Sequence, residues 1–386
     1  MDYTLWRAPW GTFAARRTSQ HKVPDMSNSE ALRHPVTQRL LSDRRPHVLF
    51  KPTPKNQQLI ARLSQLQQPF KPTPWLSNTH AQLVFHGLRK TWRKSDVLYD
   101  RIDRLTMADG GITALYWSGY ATPAVTPTIV VMHTLTGSPE SMAELVADLR
   151  AATGWRVVLC LRRGHGNLQL ATPRFNILGS TDDLREQLQV IREHLPESPL
   201  YGVGSSAGSG LITRYLGEEG GDAVFRAAFA YCPGYDTDKA FDLAHPFYSR
   251  MMGKKLVKKF VLPNLDVIGH LSTIQQLQGV ESLADFYRLG YELAGHASYA
   301  DYDDASNPMR LFERIETPFM VLNAEDDPVC QIDNLAPYRA KMGDMPNLIL
   351  VTTADGSHCA YYEGWRARSW SAKLMADYFA QVHAEA

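Results

Sequence analysis

The chain has 386 residues, 44% of them hydrophobic and 21% charged, with 41 Lys and Arg against 40 Asp and Glu. That balance excludes a disordered or fibrous chain and fits one large soluble α/β unit with insertions, or two domains. No run of about 18 apolar residues appears, so no spanning helix is expected, and the four cysteines and 13 histidines show no C-x-x-C or H-E-x-x-H spacing, so neither a metal nor any other cofactor is implied.

The charge is unevenly spread. Residues 1–100 hold 16 Lys and Arg against 6 Asp and Glu, leaving an acidic remainder. Residues 1–70 are read as a basic, partly disordered arm suited to anionic headgroups, an acidic partner or organelle targeting. Phe-Lys-Pro-Thr-Pro occurs at 50–54 and again at 70–74 and brackets a helix-like stretch. Leu59, Ile60, Leu63 and Leu66 share one face of it and are expected to pack on the body.

The body begins near residue 71. Thr128-Ile-Val-Val-Met132 reads as a buried strand, and His133-Thr-Leu-Thr-Gly-Ser138 as the polar turn after it. Next comes Pro199 to Leu211, PLYGVGSSAGSGL, a short apolar strand running into a helix through Gly204-Ser205-Ser206-Ala207-Gly208. This is a G-x-S-x-G elbow: the glycines permit a sharp strand-to-helix turn that lifts the Ser206 hydroxyl above the sheet. The helix start supplies N–H groups and a positive dipole end for an oxyanion. Gly202-x-Gly204-x-x-Ala207 also satisfies a dinucleotide-binding pattern, but Glu218, Glu219 and Asp222 lie in a helix stop, not at the end of a second strand.

Between about 236 and 315 the alternation of strand and helix gives way to a helix-rich insertion, read as a cap. Phe247, Met251, Met252, Phe260, Phe286 and Tyr287 are candidates to line an acyl pocket, and Lys254 to Phe260 interleaves charge with apolar residues as a membrane-touching segment would. From 316 the α/β pattern resumes. The strand-like Thr317-Pro-Phe-Met-Val-Leu322 leads to Asn-Ala-Glu-Asp-Asp-Pro at 323–328, where Asp326 or Asp327 is placed to orient a histidine. Asp326 is preferred, because Val329 then falls where such a loop turns back to the core. Leu348 to Thr352 leads to His358, on a loop past the last strand, where a general base reaches a serine proton. Nucleophile, acid and base in this order, each after a strand, fit an α/β-hydrolase: a mostly parallel central sheet flanked by helices, core in two parts (71–235 and 316–386), cap at 236–315.

Several separated motifs between about 72 and 380 strengthen this. Pro74 to Gln82, His133-Thr-Leu-Thr-Gly137, Arg162-Arg-Gly-His-Gly166, Thr172-Pro-Arg-Phe175, Thr181 to Arg185, Tyr215 to Gly220 and Asn323 to Pro328 together resemble α/β-hydrolases of the bacterial YheT, plant EMB8 and animal ABHD1/ABHD3 type. That family comprises serine esterases and acylglycerol or phospholipid lipases. The resemblance implies a Ser206, Asp326, His358 triad acting on a carboxylic ester, with short- to medium-chain or lipid esters as the expected substrates; the polar turn after the Thr128–Met132 strand and the helix start after Ser206 place the Leu135 and Ala207 N–H groups as oxyanion donors. Thr134 stands where the family has Gly, and Ser205, Ala207 and Ser209 also depart from its pattern. An amidase or peptidase using the same triad, and a hydrolase-like binding protein, are the alternatives. No nucleic-acid partner is expected. A peripheral membrane contact and a cytoplasmic location, or an organelle reached through the basic arm, are the remaining expectations.

Overall fold

The computed structural model describes residues 44–92 and 99–385. The first 43 residues, and with them the expected targeting or headgroup role of the basic arm, lie outside the described residues.

Nine strands form one sheet in the order β1-β9-β8-β7-β6-β4-β5-β3-β2. Its centre is parallel and is built from β5 (Arg156–Leu161), β4 (Thr128–Met132), β6 (Leu200–Ser205), β7 (Phe225–Tyr231), β8 (Phe319–Ala324) and β9 (Leu348–Thr353). In β4, β5, β8 and β9 every residue is buried. Such strands carry apolar runs without alternation, because helices cover both faces. One face packs Ile129, Val131, Val203 and Phe229 against the C-terminal helix; the other packs Val130, Ala228, Val321 and Leu350 against further helices. The edges close with antiparallel strands, β1 (His47–Phe50) on β9, and the β2–β3 hairpin (Arg101–Thr106, Ile112–Ser118) on β5.

The helices relevant here are α1 (Pro54–Arg62), α2 (Thr79–Trp92), α3 (Pro139–Thr153), α4 (Thr181–His194) and α5 (Ala207–Glu219). Between β7 and β8 the chain contains helices and no strand, among them α6 (Thr237–Leu243), α7 (Pro246–Leu256), α8 (Leu283–Leu289) and α9 (Tyr299–Ser306); α10 (Trp370–Ala384) ends the fold. A separate apolar cluster joins this insertion to the body, with Phe260, Phe286 and Tyr287 packed against Leu135, Phe175 and Leu178.

The boundary expected at residue 70 falls inside the body. β1 extends the sheet, and Leu59, Leu63, Leu66 and Phe70 lie in the main core. Composition misleads here because charged residues on α1 face solvent while the apolar stripe of the same helix packs inward. Since Leu63 is fully buried, Leu63→Ala is expected to lower stability by about 2–4 kcal/mol. A urea midpoint unchanged from wild type would show that this segment contributes nothing to the core.

Candidate active site

Ser206 sits between β6 and α5 at φ 52° and ψ −116°. A backbone of this kind costs a non-glycine residue about 1–3 kcal/mol and persists only where the surroundings enforce it. Two glycines make room. A Cβ on Gly204 would lie 2.2 Å from the carbonyl oxygen of Gly208, and one on Gly208 would lie 2.2 Å from that of Met132 in β4. The turn is tied to the next strand by the Ser206 N–H, which donates to the Tyr231 carbonyl at 2.8 Å.

His358 reaches this hydroxyl from the loop after β9. Its Nε2 lies 2.8 Å from Ser206 Oγ and its Nδ1 lies 2.7 Å from Asp327 Oδ2. The residues on both sides of it, Ser357 and Cys359, have φ of 51° and 58°, so the loop kinks twice to present one ring. Sequence reasoning preferred Asp326, and the geometry differs: the acid that meets His358 is Asp327. Its other oxygen accepts the N–H groups of Val329 and Cys330 at 2.7 and 2.9 Å. That Asx turn folds the loop back over its own acid and aims Asp327 inward. Asp326 points the other way and accepts the Ser357 N–H at 2.8 Å, so it braces the histidine loop from outside. Val329 marked the turn correctly, but the side chain that makes the turn is two residues before it, not three.

Burial opposes a charged imidazole at His358, yet the Asp327 carboxylate outweighs it, and the pKa is raised well above 6.5. A raised histidine pKa means the folded state binds its proton more tightly. The resulting stability is fully present below about 6.5 and is lost as pH rises through the folded-state value.

The loop after β4 forms the facing wall. His133 is buried; its Nε2 accepts the Arg162 N–H at 3.1 Å, so its Nδ1 donates to the Thr134 carbonyl at 2.8 Å. Burial, with the nearby Arg162 charge, holds it well below 6.5 and therefore neutral. The Arg162 guanidinium, itself buried, donates to the carbonyls of His133, Thr134 and Leu178. Its pKa is pushed down to about 9 by that burial. From the insertion, Lys259 donates to the Thr136 carbonyl at 3.0 Å. Leu135 and Ala207, the expected oxyanion donors, both line the same cavity as Ser206. Thr134 instead lines a smaller pocket of about 40 Å³ on the other side of the elbow, with Ser205 and Cys359. Arg162 and Lys259 were given no role at the site from the sequence. Arg162 was visible only as part of a motif, and the Lys259 side chain turns inward while Lys254, Lys255 and Lys258 are exposed.

The main cavity of this site, the one Ser206 lines, is about 280 Å³. Of the six insertion residues proposed to line it only Met252 does; Phe260, Phe286 and Tyr287 are buried in the insertion's core and Phe247 and Met251 are exposed. Three of the four free cysteines surround the histidine. Cys232, Cys359 and His358 form one cluster of potential ligand atoms, and Asp327, Cys330 and His358 another, each within 4.8 Å. Since both imidazole nitrogens are already engaged, a metal held by either group would have to break the contact to Asp327 or to Ser206.

A serine raised on an elbow, an imidazole joining it to a buried carboxylate and a cavity above them define a hydrolase-type site on a doubly covered sheet. Residues 127–364 match the alpha/beta hydrolase fold family, and the chain belongs to it. Within that family it is of the EMB8/ABHD3 type. It is similar to embryogenesis-associated protein EMB8 of Picea glauca, at 24% identity over 84% of this chain and 74% of that protein. It is also similar to the phospholipase ABHD3 of Mus musculus, at 28% over 76% and 74%, and to the monoacylglycerol lipase of Saccharomyces cerevisiae, at 25% over 67% and 60%.

The Asp327 contact generates a direct test. In an NMR titration of the His358 ring, the wild-type midpoint is expected above 6.5. In Asp327→Asn, where burial acts without the carboxylate, it is expected below 6.5, whereas Asp326→Asn should leave it close to wild type. Equal midpoints in wild type and Asp327→Asn would remove Asp327 from the role of orienting acid.

Proposed function

We propose that the protein is a serine carboxylic-ester hydrolase that works through an acyl-enzyme on short- to medium-chain esters or on acylglycerol- or phospholipid-type lipids. The observation that carries this reading is the unbroken contact from Asp327 through His358 to Ser206 at the wall of a largely apolar cavity. Relatives named as phospholipase and monoacylglycerol lipase support the ester class.

In this mechanism Ser206 Oγ bonds to the ester carbonyl carbon as His358 Nε2 takes its proton. Asp327 holds the ring and stabilises the imidazolium. The carbonyl oxygen, now an anion, is met by the N–H groups of Leu135 and Ala207, with the α5 dipole behind the second. Arg162 and His133 act one layer back by fixing the carbonyls of the loop that carries Leu135. The tetrahedral species collapses, the bond to the alkoxy oxygen breaks, and the His358 proton passes to the departing alcohol. Water deprotonated by His358 then attacks the acyl carbon, and Ser206 recovers its proton as the acid leaves.

The reading includes a peripheral membrane contact. Phe247, Met251 and Leu262 are 64%, 48% and 48% exposed, and Lys254, Lys255 and Lys258 lie exposed on the same stretch, a pairing suited to anionic lipid surfaces. Phe241 joins the groove beside Phe247 to the catalytic cavity, since it lines both. No helix among the described residues is long and apolar enough to cross a membrane.

A fluorophosphonate probe is expected to label the wild type and not Ser206→Ala, with hydrolysis of p-nitrophenyl butyrate falling about 10⁴-fold or more in the variant. A wild type that neither labels nor turns over would favour a binding role. In sedimentation with vesicles containing phosphatidylserine, Phe247→Asp with Met251→Asp is expected to release the protein while butyrate hydrolysis persists; equal binding by variant and wild type would exclude this face.

A further inference from the structure

α5 does more than carry the nucleophile at its start. Ser206, Ala207, Gly210, Leu211, Arg214 and Glu218 all line the main cavity, and their spacing is that of a single helix face. The cavity therefore runs along the helix, away from the reacting atom. From Ser206 to Arg214 is about 12 Å of helix, the length of about eight to ten staggered methylenes.

Three glycines lie inside α5, and two of them are explained by packing. A Cβ on Gly208 would strike the Met132 carbonyl at 2.2 Å, and one on Gly217 would strike the Leu311 carbonyl at 2.5 Å. Gly210 meets no such obstacle: a Cβ there would touch only Pro308 Cγ, at 3.8 Å. A glycine within a helix is unfavourable relative to alanine, and close packing does not require this one. Gly210 lines the main cavity and also a small adjoining apolar pocket of about 20 Å³, so a larger side chain there would take up space at this wall of the cavity.

The far end of this path is chemically different. Arg214 pairs with Glu218 at 2.5 Å, and Arg185 pairs with Glu218 and with Glu219 at 2.7 Å. Arg174 and Asp182 line the cavity beyond them and are open to solvent. An alkyl chain gains from burial only as far as Arg214; further on it meets guanidinium and carboxylate groups already satisfied by one another.

We infer that the α5 groove is the acyl site of the esterase proposed above, with Gly210 as its floor and the Arg214–Glu218–Arg185 network as the limit on acyl length. The assignment to the acyl chain follows from the helix origin: the group that stays bonded to Ser206 after the alcohol leaves is the one a groove beginning at Ser206 can hold. The inference rests on that hydrolytic reading and is tested apart from it.

The experiment is kcat/KM over p-nitrophenyl esters from acetate to palmitate, with a parallel series of alkyl acetates that varies the alcohol. For the wild type, kcat/KM should climb by up to about fourfold per methylene until about eight to ten carbons and then stop rising. Gly210→Leu should cut the octanoate-to-acetate ratio about tenfold or more, and Gly210→Ala, whose methyl has room, should cut it less. Arg214→Leu should raise the dodecanoate-to-octanoate ratio about fivefold. An active wild type whose acyl profile is unmoved by Gly210→Ala, Gly210→Leu and Arg214→Leu overturns this inference alone, as does a shift confined to the alcohol series. A wild type inert on every ester overturns the hydrolytic reading and this inference with it.

Discussion

The site depends on one backbone constraint, the turn at Ser206. A residue at φ 52° and ψ −116° is held there because β4, β6 and α5 approach too closely for side chains at Gly204 and Gly208. The same approach brings the start of α5 against the end of β4, so Ser206 and the loop bearing Leu135 are neighbours by construction. Relaxing the turn would move the Ser206 hydroxyl, the Ala207 N–H and Gly210 together, since all three belong to one helix and its cap.

Around that turn, polar groups are arranged so that few charges are left without partners. Asp327 is fully buried at its side chain but accepts from two backbone N–H groups and the His358 ring, and these hydrogen bonds offset the cost of burying a polar group. Arg162 satisfies its charge on three carbonyls of the facing loop and its neighbours. Both devices convert the cost of burying a charge into fixed geometry near the place where an oxyanion would form. Thr134 is accommodated because its carbonyl accepts from His133, Arg162 and Gly137 while its side chain belongs to the smaller pocket.

The insertion between β7 and β8 shapes the space above these groups. It packs on the body through its own apolar cluster and touches the β4 loop through Lys259. Few of its large apolar residues face the main cavity: most make its core, and Leu243, Phe247, Met251 and Leu262 face outward. The chemistry of the cavity wall is supplied chiefly by α5 and the loops of the body, and the insertion supplies enclosure.

The sequence alone determined the elements whose signals are local. Gly204 and Gly208 announce the elbow because no other residue fits their contacts, apolar runs without alternation announce buried parallel strands, and the order of Ser206, the acidic loop and His358 announces the fold. Tertiary structure decided what depends on direction and distance. Asp326 and Asp327 are adjacent and chemically identical, and only the Asx turn at Val329 and Cys330 determines which one meets the ring. Composition drew a boundary at 70 that the pairing of β1 with β9 erases, because a strand's partner 300 residues away leaves no mark on its own segment. Membership of the insertion read as a cap placed Phe247, Met252 and Phe260 in one list, and packing sent one to solvent, one to the cavity and one to the core, since which side of a helix is covered is settled by its neighbours.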